Sequence, residues 1–518
     1  MRYFNVAGPC NKADHYMIEA ASRLQGVEQL INLKQYFVIH AARQSGKTTY
    51  LLDSTIKLNA EGKYYALYCS LELLQGIKDA KEGIPLVVKC IKHALYILKL
   101  PFNENFAENA DYENYAGVLN VELTRYCQIL DKPLVIFFDE ADCLYGPTLI
   151  SFLRQLRAGY VNRTIAPFVH SVALVGMRNI RDYKAMIRSE KETLGSASPF
   201  NIVTKAFTLN NFTKEEVISL YKQHTDETDQ IFQEEAIDLV FEQTQGQPWL
   251  VNAVAREVTI EILDFDYSKI ITVELVNQAI QTIILRRDTH IDSLLERLKE
   301  ERVRHIIEPM LLGDDIPSIL SDDYQYVVDL GLIKNIGGQV QPANPIYAEV
   351  ISRTLSYDLQ NKLLIEKPDS ILPRYLKDGK IDMEYLMLDF QQFWRENSDI
   401  WIERFHYKEA APHLILQAFL QRIINGGGYI IRDMAAGTGR TDLCLVYSGK
   451  KYPIELKIWR GEKSLTKGIE QTLQYMETFG CTEGWLAIFD QRPEISWDDK
   501  IFIRKEIVEG KTVTVVGL

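Results

Sequence analysis

Three groups of side chains have the types and spacing needed for phosphate chemistry. Residues 41–49 read Ala41-Ala42-Arg43-Gln44-Ser45-Gly46-Lys47-Thr48-Thr49. In such a loop the glycine lets the backbone pass close to an anion, and the amide N–H groups turn inward toward phosphate oxygens. Lys47 is placed to pair with phosphate oxygens, Thr48 to offer its hydroxyl to a hard cation, and the following helix aims its positive end at the anion. The second group is Leu134-Val-Ile-Phe-Phe-Asp139-Glu140, an apolar run ending in two acids. Buried strand ends rarely carry adjacent carboxylates without a cation or chemistry to justify them. Asp139 is placed to hold magnesium, directly or through water, and Glu140 to polarise an attacking water.

The third group lies near the C-terminus: Asp442, Glu455 and Lys457. Glu455 and Lys457 are two residues apart and share one face of a strand. A hairpin through residues 448–451 has a register that brings Asp442 beside Glu455. Two carboxylates and a lysine on one face suit magnesium-assisted phosphodiester cleavage. The carboxylates supply oxygen ligands, the cation activates water, and Lys457 orients the nucleophile or stabilises negative charge. Downstream, Gln471 and Tyr475 are four apart and share a helical face.

These residues need a scaffold. Short apolar runs rich in β-branched and aromatic residues at 36–40, 64–70, 134–138 and 171–175 alternate with helical patterns, which predicts βαβ units and a buried parallel sheet. The run at 171–175 leads to Arg178 and Asn179, expected at the ligand edge of that sheet, where either can sense a γ-phosphate. From residue 211 helical patterns dominate, with Thr213 as an expected N-cap and Glu216 at the capping-box position. Residues 298–355 read helix, helix, then a hairpin around Gly337-Gly338, a winged-helix-like pattern. Acids within 311–323 favour a structural role for that unit over DNA binding, since phosphate contacts supply most DNA affinity. An amphipathic helix at 411–424 opens the last stretch. The expected domains are 1–210 (α/β core), 211–286 (helical lid), 287–355 (winged-helix-like), 356–400 (helical connector) and 401–518 (C-terminal α/β domain).

A chain of 518 residues is too long for one hydrophobic core. The net charge of −12 excludes a global basic field for nucleic acid, so any such contact needs a local patch or a bound cation. None of the seven cysteines forms a CxxC pair, which argues for reduced thiols and a cytoplasmic location. The opening residues lack the pattern of a signal peptide, and no apolar run approaches the roughly 20 residues of a membrane span.

Residues 41–49 resemble a Walker A motif with Ala41 in place of the first glycine, and 134–140 resemble Walker B. With them the chain resembles, over residues 1–355, an AAA-like, STAND-type P-loop ATPase of the group shared by archaeal-type ATPases and origin-recognition proteins. Gly246-Gln247-Pro248 is similar to the GxP motif of STAND proteins, whose proline lies near the nucleotide. Phe4-Asn-Val-Ala-Gly-Pro9 resembles the segment that covers the adenine. The resemblance implies ATP and Mg²⁺ as cofactors, held by residues 41–49, Asp139, Arg178 and Pro248. It also implies an arginine finger if ATP sits between subunits of a homo-oligomer, with Arg154, Arg157 and Arg163 as candidates.

Residues 405–490 resemble the PD-(D/E)xK nuclease superfamily, which has a restriction-endonuclease-like fold. Asp442 matches the first acid, Glu455-Leu456-Lys457 the ExK, and Gln471 to Tyr475 the QxxxY helix of RecB-like members. The proline before the first acid is missing, and the extra acid often found upstream has only Glu409, Gln417 or Asp433 in its vicinity. Together the resemblances imply an ATPase whose nucleotide state controls a metal-dependent nuclease-like domain acting on nucleic acid, DNA ahead of RNA. The alternatives are a STAND-like switch with a non-catalytic nuclease-like domain that binds nucleic acid or protein, and a DNA-loading AAA-like ATPase.

Overall fold

The computed structural model describes residues 2–19, 23–24, 26–177, 203–286, 291, 294, 296–311, 321–337, 339–351, 354, 375–402, 411–424, 428–431, 435–436, 439–440, 443–492, 494–508 and 510–518. Arg178, Asn179, Glu409, Asp433 and Asp442 lie outside them. The chain divides into two compact units, residues 1–290 with 320–333 and residues 291–319 with 334–518.

The first unit is built on a five-stranded parallel sheet. Its strands are β1 (Tyr36–His40), β2 (Tyr65–Ser70), β3 (Leu134–Asp139), β4 (Ser171–Gly176) and β5 (Val203–Thr208), in the order β2-β3-β4-β1-β5. Every residue of β1, β3 and β4 is buried, as the continuous apolar runs predict. Side-chain alternation divides the sheet between two cores. On one face Leu67, Ile136, Phe138 and Leu174 pack among the helices Ala80–Ile97, Val118–Ile129 and Gly146–Asn162. On the other, Phe37, Ile39, Phe137 and Val175 pack with Leu51 and Leu58 of the helix Lys47–Glu61. Each such fully buried side chain contributes about 1.5–3 kcal/mol. Strand β5 is not among the sequence expectations, because Val203-Thr-Lys-Ala-Phe-Thr208 mixes polar and apolar residues as an edge strand does.

The capping box forms as expected. Thr213 accepts from Glu216 N, Glu216 accepts from Thr213 N, and the helix Lys214–Thr228 follows. The helices Glu234–Thr244, Pro248–Arg256 and Val273–Arg286 complete this region. Ser321 caps the helix Asp322–Asp329, accepting from Tyr324 N at 3.1 Å.

The second unit includes the helix Glu301–Leu311 and holds most of a hairpin, β6 (Ile333–Ile336) and β7 (Gln339–Pro342), around Gly337 as expected. Two small ribbons, β8 (Leu376–Lys377) with β9 (Lys380–Ile381) and β11 (Ala435–Ala436) with β12 (Gly439–Arg440), accompany a larger sheet. That sheet has the order β10-β13-β14-β15-β17-β16, from Gly428–Ile431, Leu443–Tyr447, Lys450–Ile458, Glu483–Phe489, Lys511–Gly517 and Phe502–Val508. β14 pairs antiparallel with β13 and parallel with β15, and the helix Glu462–Phe479 makes the parallel crossover. The helix Ala411–Ile424 has its expected bounds. The helix Met383–Ile402 falls largely in the stretch expected to connect domains. It supplies Leu386, Phe390 and Trp394 to a core with Leu416, Phe419, Ile454, Leu456 and Phe489 on one face of the sheet. Leu465 and Met476 pack with Leu486, Ile488, Val513 and Val515 on the other.

Candidate nucleotide site and C-terminal carboxylate site

Strand β1 delivers the chain at the C-terminal edge of the parallel sheet, where the helix Lys47–Glu61 starts. Gly46 is its N-cap in the left-handed region, φ 91, and no side chain caps the helix. Its first N–H groups therefore have no side-chain acceptor and suit an anion. Lys47 is 8% exposed and donates to the carbonyls of Ala41 and Ala42 at 2.9 Å each. Burial lowers its pKa, while the charges of Glu140 and Asp139 act in the opposite direction. Ser45 Oγ donates to Ala42 O at 2.8 Å. Arg43 is exposed, and the Thr49 hydroxyl accepts from Cys10 N at 3.0 Å, holding the N-terminal segment.

Strand β3 brings its two acids to the same edge. Asp139 is 1% exposed. Its Oδ2 accepts from Thr48 Oγ1 at 2.7 Å and from Tyr68 OH at 3.1 Å, and its Oδ1 accepts from Glu140 N at 3.0 Å. Glu140 adopts φ 53, an uncommon conformation for a residue with a side chain. Burial raises the Glu140 pKa, the negative charge of Asp139 adds to this, and Lys47 opposes it. Lys47, Thr48, Asp139 and Glu140, chosen from two distant stretches of sequence, thus share one site. Asp142 accepts from Met177 N just after β4. A Cβ on Gly176 would overlap that carboxylate.

Two further segments reach the loop, and a third contact ties the N-terminal segment to the helical region. Gln247 Nε2 donates to Gln44 O at 3.4 Å, and Gln247 Oε1 accepts from Leu250 N at 2.6 Å as N-cap of the helix that Pro248 begins. The GxP stretch thus touches the loop through Gln247. Arg23 donates to Ser45 O at 3.3 Å and to Asn210 O, and lies 4.8 Å over the Phe212 ring. Trp249 Nε1 donates to Val6 O at 2.8 Å, which ties the segment expected to cover the adenine to the helical region. Among the arginine-finger candidates, Arg163 donates to Lys34 O at 2.6 Å, at the end of β1 opposite the phosphate loop. Arg154 is exposed on the helix Gly146–Asn162.

In the second unit, Glu455 is 1% exposed and pairs with the Lys457 ammonium on one face of β14. The helix Glu462–Phe479 covers that face. A Cβ on Gly468 would lie 2.7 Å from Leu486 Cδ1 and 3.3 Å from Lys457 Cγ, so glycine permits this approach. Tyr475 is buried on the same helix and Gln471 is half-buried. Leu443, next to Asp442, pairs with Ile454, next to Glu455. Gln417 is buried on the helix Ala411–Ile424. Among the described residues no group of three or more His, Cys, Asp or Glu side chains converges as a metal-ligand set.

The model of the AAA-like domain family matches residues 8–353. The chain belongs to the AAA-like domain family. This AAA-like chain also resembles solved structures. A Walker-type ATPase of Pyrococcus abyssi is 15% identical, with 67% of this chain and 99% of that one covered and a TM-score of 0.47. The RuvB Holliday junction branch migration motor of Thermotoga maritima is 12% identical over 63% of this chain and 91% of that one, TM-score 0.34. The Orc1 protein of Aeropyrum pernix, solved in complex with DNA, is 13% identical over 70% and 96%, TM-score 0.34. No curated protein matches.

The donors of this AAA-like site fit magnesium and a nucleotide: a hydroxyl and a carboxylate for a hard cation, an ammonium and open helix N–H groups for phosphates. Sequence reasoning missed Arg23, Tyr68 and Gln247. Arg23 precedes the loop at no motif spacing. Tyr68 sits in an expected strand, but only the pairing of β2 with β3 brings it to Asp139. Gln247 lies inside the GxP stretch, where the resemblance singles out only the neighbouring Pro248. Among the described residues no helix is long and apolar enough to cross a membrane.

Proposed function

We propose that this AAA-like protein binds and hydrolyses magnesium-ATP at residues 41–49 and 139–140, and that its nucleotide state controls a metal-dependent, nuclease-like C-terminal domain. The observation that carries the first part is the convergence of Lys47, Thr48, Asp139 and Glu140 at one sheet edge. Lys47 exchanges the carbonyls of Ala41 and Ala42 for phosphate oxygens, a stronger charge-assisted bond. Thr48 and Asp139 would hold magnesium, which neutralises the phosphates when bound. Glu140 accepts the proton of the attacking water, and its raised pKa brings its basicity closer to that task.

The C-terminal reading rests on the buried Glu455 beside Lys457, the strand pairing next to Asp442, and the covering helix with Gln471 and Tyr475. Asp442 and Glu455 would hold the cation there, and Lys457 stabilises charge developing on the cleaved phosphate. Nucleic acid is the proposed partner, DNA ahead of RNA, with ATP between subunits of a homo-oligomer. A second reading, a switch whose C-terminal domain only binds, is favoured by the direct Lys457–Glu455 pairing, which neutralises the carboxylate.

The deciding assay incubates the purified protein with magnesium or manganese, with and without ATP, on single- and double-stranded DNA and RNA. Metal-dependent cleavage that ATP alters is expected. No cleavage under any combination moves the function to the second reading, and a protein that binds no ATP under any condition removes both.

A further inference from the structure

We propose that Tyr68 is a positioning residue that sets the affinity of the nucleotide site for magnesium. The inference rests on the reading of that site as a magnesium-ATP site. A carboxylate oxygen offers two lone-pair directions. Oδ2 of Asp139 uses both, for Thr48 Oγ1 at 2.7 Å and Tyr68 OH at 3.1 Å, while Oδ1 accepts only Glu140 N among these contacts. The carboxylate is thus held on one oxygen by two hydroxyls, and the other keeps a direction for the cation or a water on it.

The two hydroxyls are not equivalent. Thr48 must also face the cation, so its geometry changes with metal binding. Tyr68 comes from the neighbouring strand and has no such second duty. In the parallel register Tyr68 lies opposite Phe137 and Ser70 opposite Asp139. Positions 137 and 139 share one face of β3, the face of the helix Lys47–Glu61, and Tyr68 packs against the core on that face. Its ring therefore runs along the sheet from position 137 to the carboxylate at 139, and its few rotatable bonds hold the hydroxyl in place. Tyr68 fixes Asp139 whether or not the cation is present.

The test is the Tyr68→Phe variant, which keeps the ring and removes the hydroxyl. Equilibrium binding of ATP is measured against free magnesium, and again in EDTA, together with turnover against magnesium. Losing one hydrogen bond to a carboxylate should raise the magnesium concentration at half-maximal enhancement of binding by about 3- to 10-fold. ATP binding in EDTA should stay within about twofold of wild type, and excess magnesium should restore turnover. An unchanged or lowered magnesium midpoint overturns the proposal. So does an equal loss of ATP binding in EDTA, which would make Tyr68 a support for the loop. A wild-type protein that binds no ATP at all would instead overturn the nucleotide site itself, and this inference with it.

Discussion

Gly331 lies against Ala42 of the phosphate loop: a Cβ built on Gly331 would stand 2.5 Å from Ala42 Cβ. Gly331 has φ +75, and two residues earlier Asp329 Oδ1 is 3.8 Å from Nδ1 of His40, the last residue of β1. The end of the helix Asp322–Asp329 is thus packed on the loop. Gly331→Ala meets both an unfavourable φ and a steric overlap, and should cost about 1 kcal/mol or more. Calorimetry should show weaker ATP binding and a lower melting temperature. Wild-type values for both would mean that the contact is idle.

Lys47→Ala should abolish ATP binding, because it removes the charge that neutralises the phosphates. Glu140→Gln should leave ATP bound and slow turnover by about 10²–10⁴-fold, since the amide keeps the shape and loses the basicity. Direct binding and steady-state hydrolysis measure the two effects separately. Unchanged affinity in the first variant, or normal turnover in the second, removes that residue from its role.

If the proposed C-terminal reading holds, Asp442→Ala or Glu455→Ala should eliminate metal-dependent strand cleavage and leave ATP hydrolysis largely intact, because the two proposed sites draw on different carboxylates. Lys457→Ala should also impair cleavage, but through lost charge stabilisation, so its metal titration should keep the wild-type midpoint. A Lys47→Ala protein whose cleavage differs from wild type would report coupling through the nucleotide state. Equal cleavage by wild type and Asp442→Ala would leave the active site wrongly assigned.

His224 supplies a pH dependence. Burial lowers its pKa from 6.5, while a hydrogen bond to Gln230 and the charge of Glu227 act the other way. The folded state therefore prefers the neutral ring, and the unfolded chain takes up its proton at higher pH. This contribution to stability is complete above pH 6.5 and is lost as pH falls through the depressed folded value. His170, also lowered chiefly by burial, acts in the same direction. The melting temperature should fall from pH 7.5 to 5, and His224→Gln should make the fall shallower. An identical slope in the variant would exclude His224 as a contributor.

The parts legible in the sequence are those whose cause is local. Glycine, lysine and threonine at 46–48 must follow a strand and open a helix to do their chemistry, and β1 and the helix Lys47–Glu61 do so. Continuous runs of β-branched and aromatic residues mark β1 to β4 within a residue at each end, and β1, β3 and β4, buried on both faces, have no polar alternation to obscure them. The Thr213 capping box and the helix Ala411–Ile424 were readable for similar reasons of short range. Tertiary structure decided which distant residues complete each site. Tyr68 and Asp139 are 71 positions apart, and strand pairing alone brings them together. Arg23 reaches Ser45 and Asn210, Gln247 reaches Gln44, and Gly331 reaches Ala42 through packing that no local spacing encodes. The edge strand β5 and the core role of Met383–Ile402 were hidden for the same reason: a half-polar segment acquires its buried face only from the neighbour it packs against.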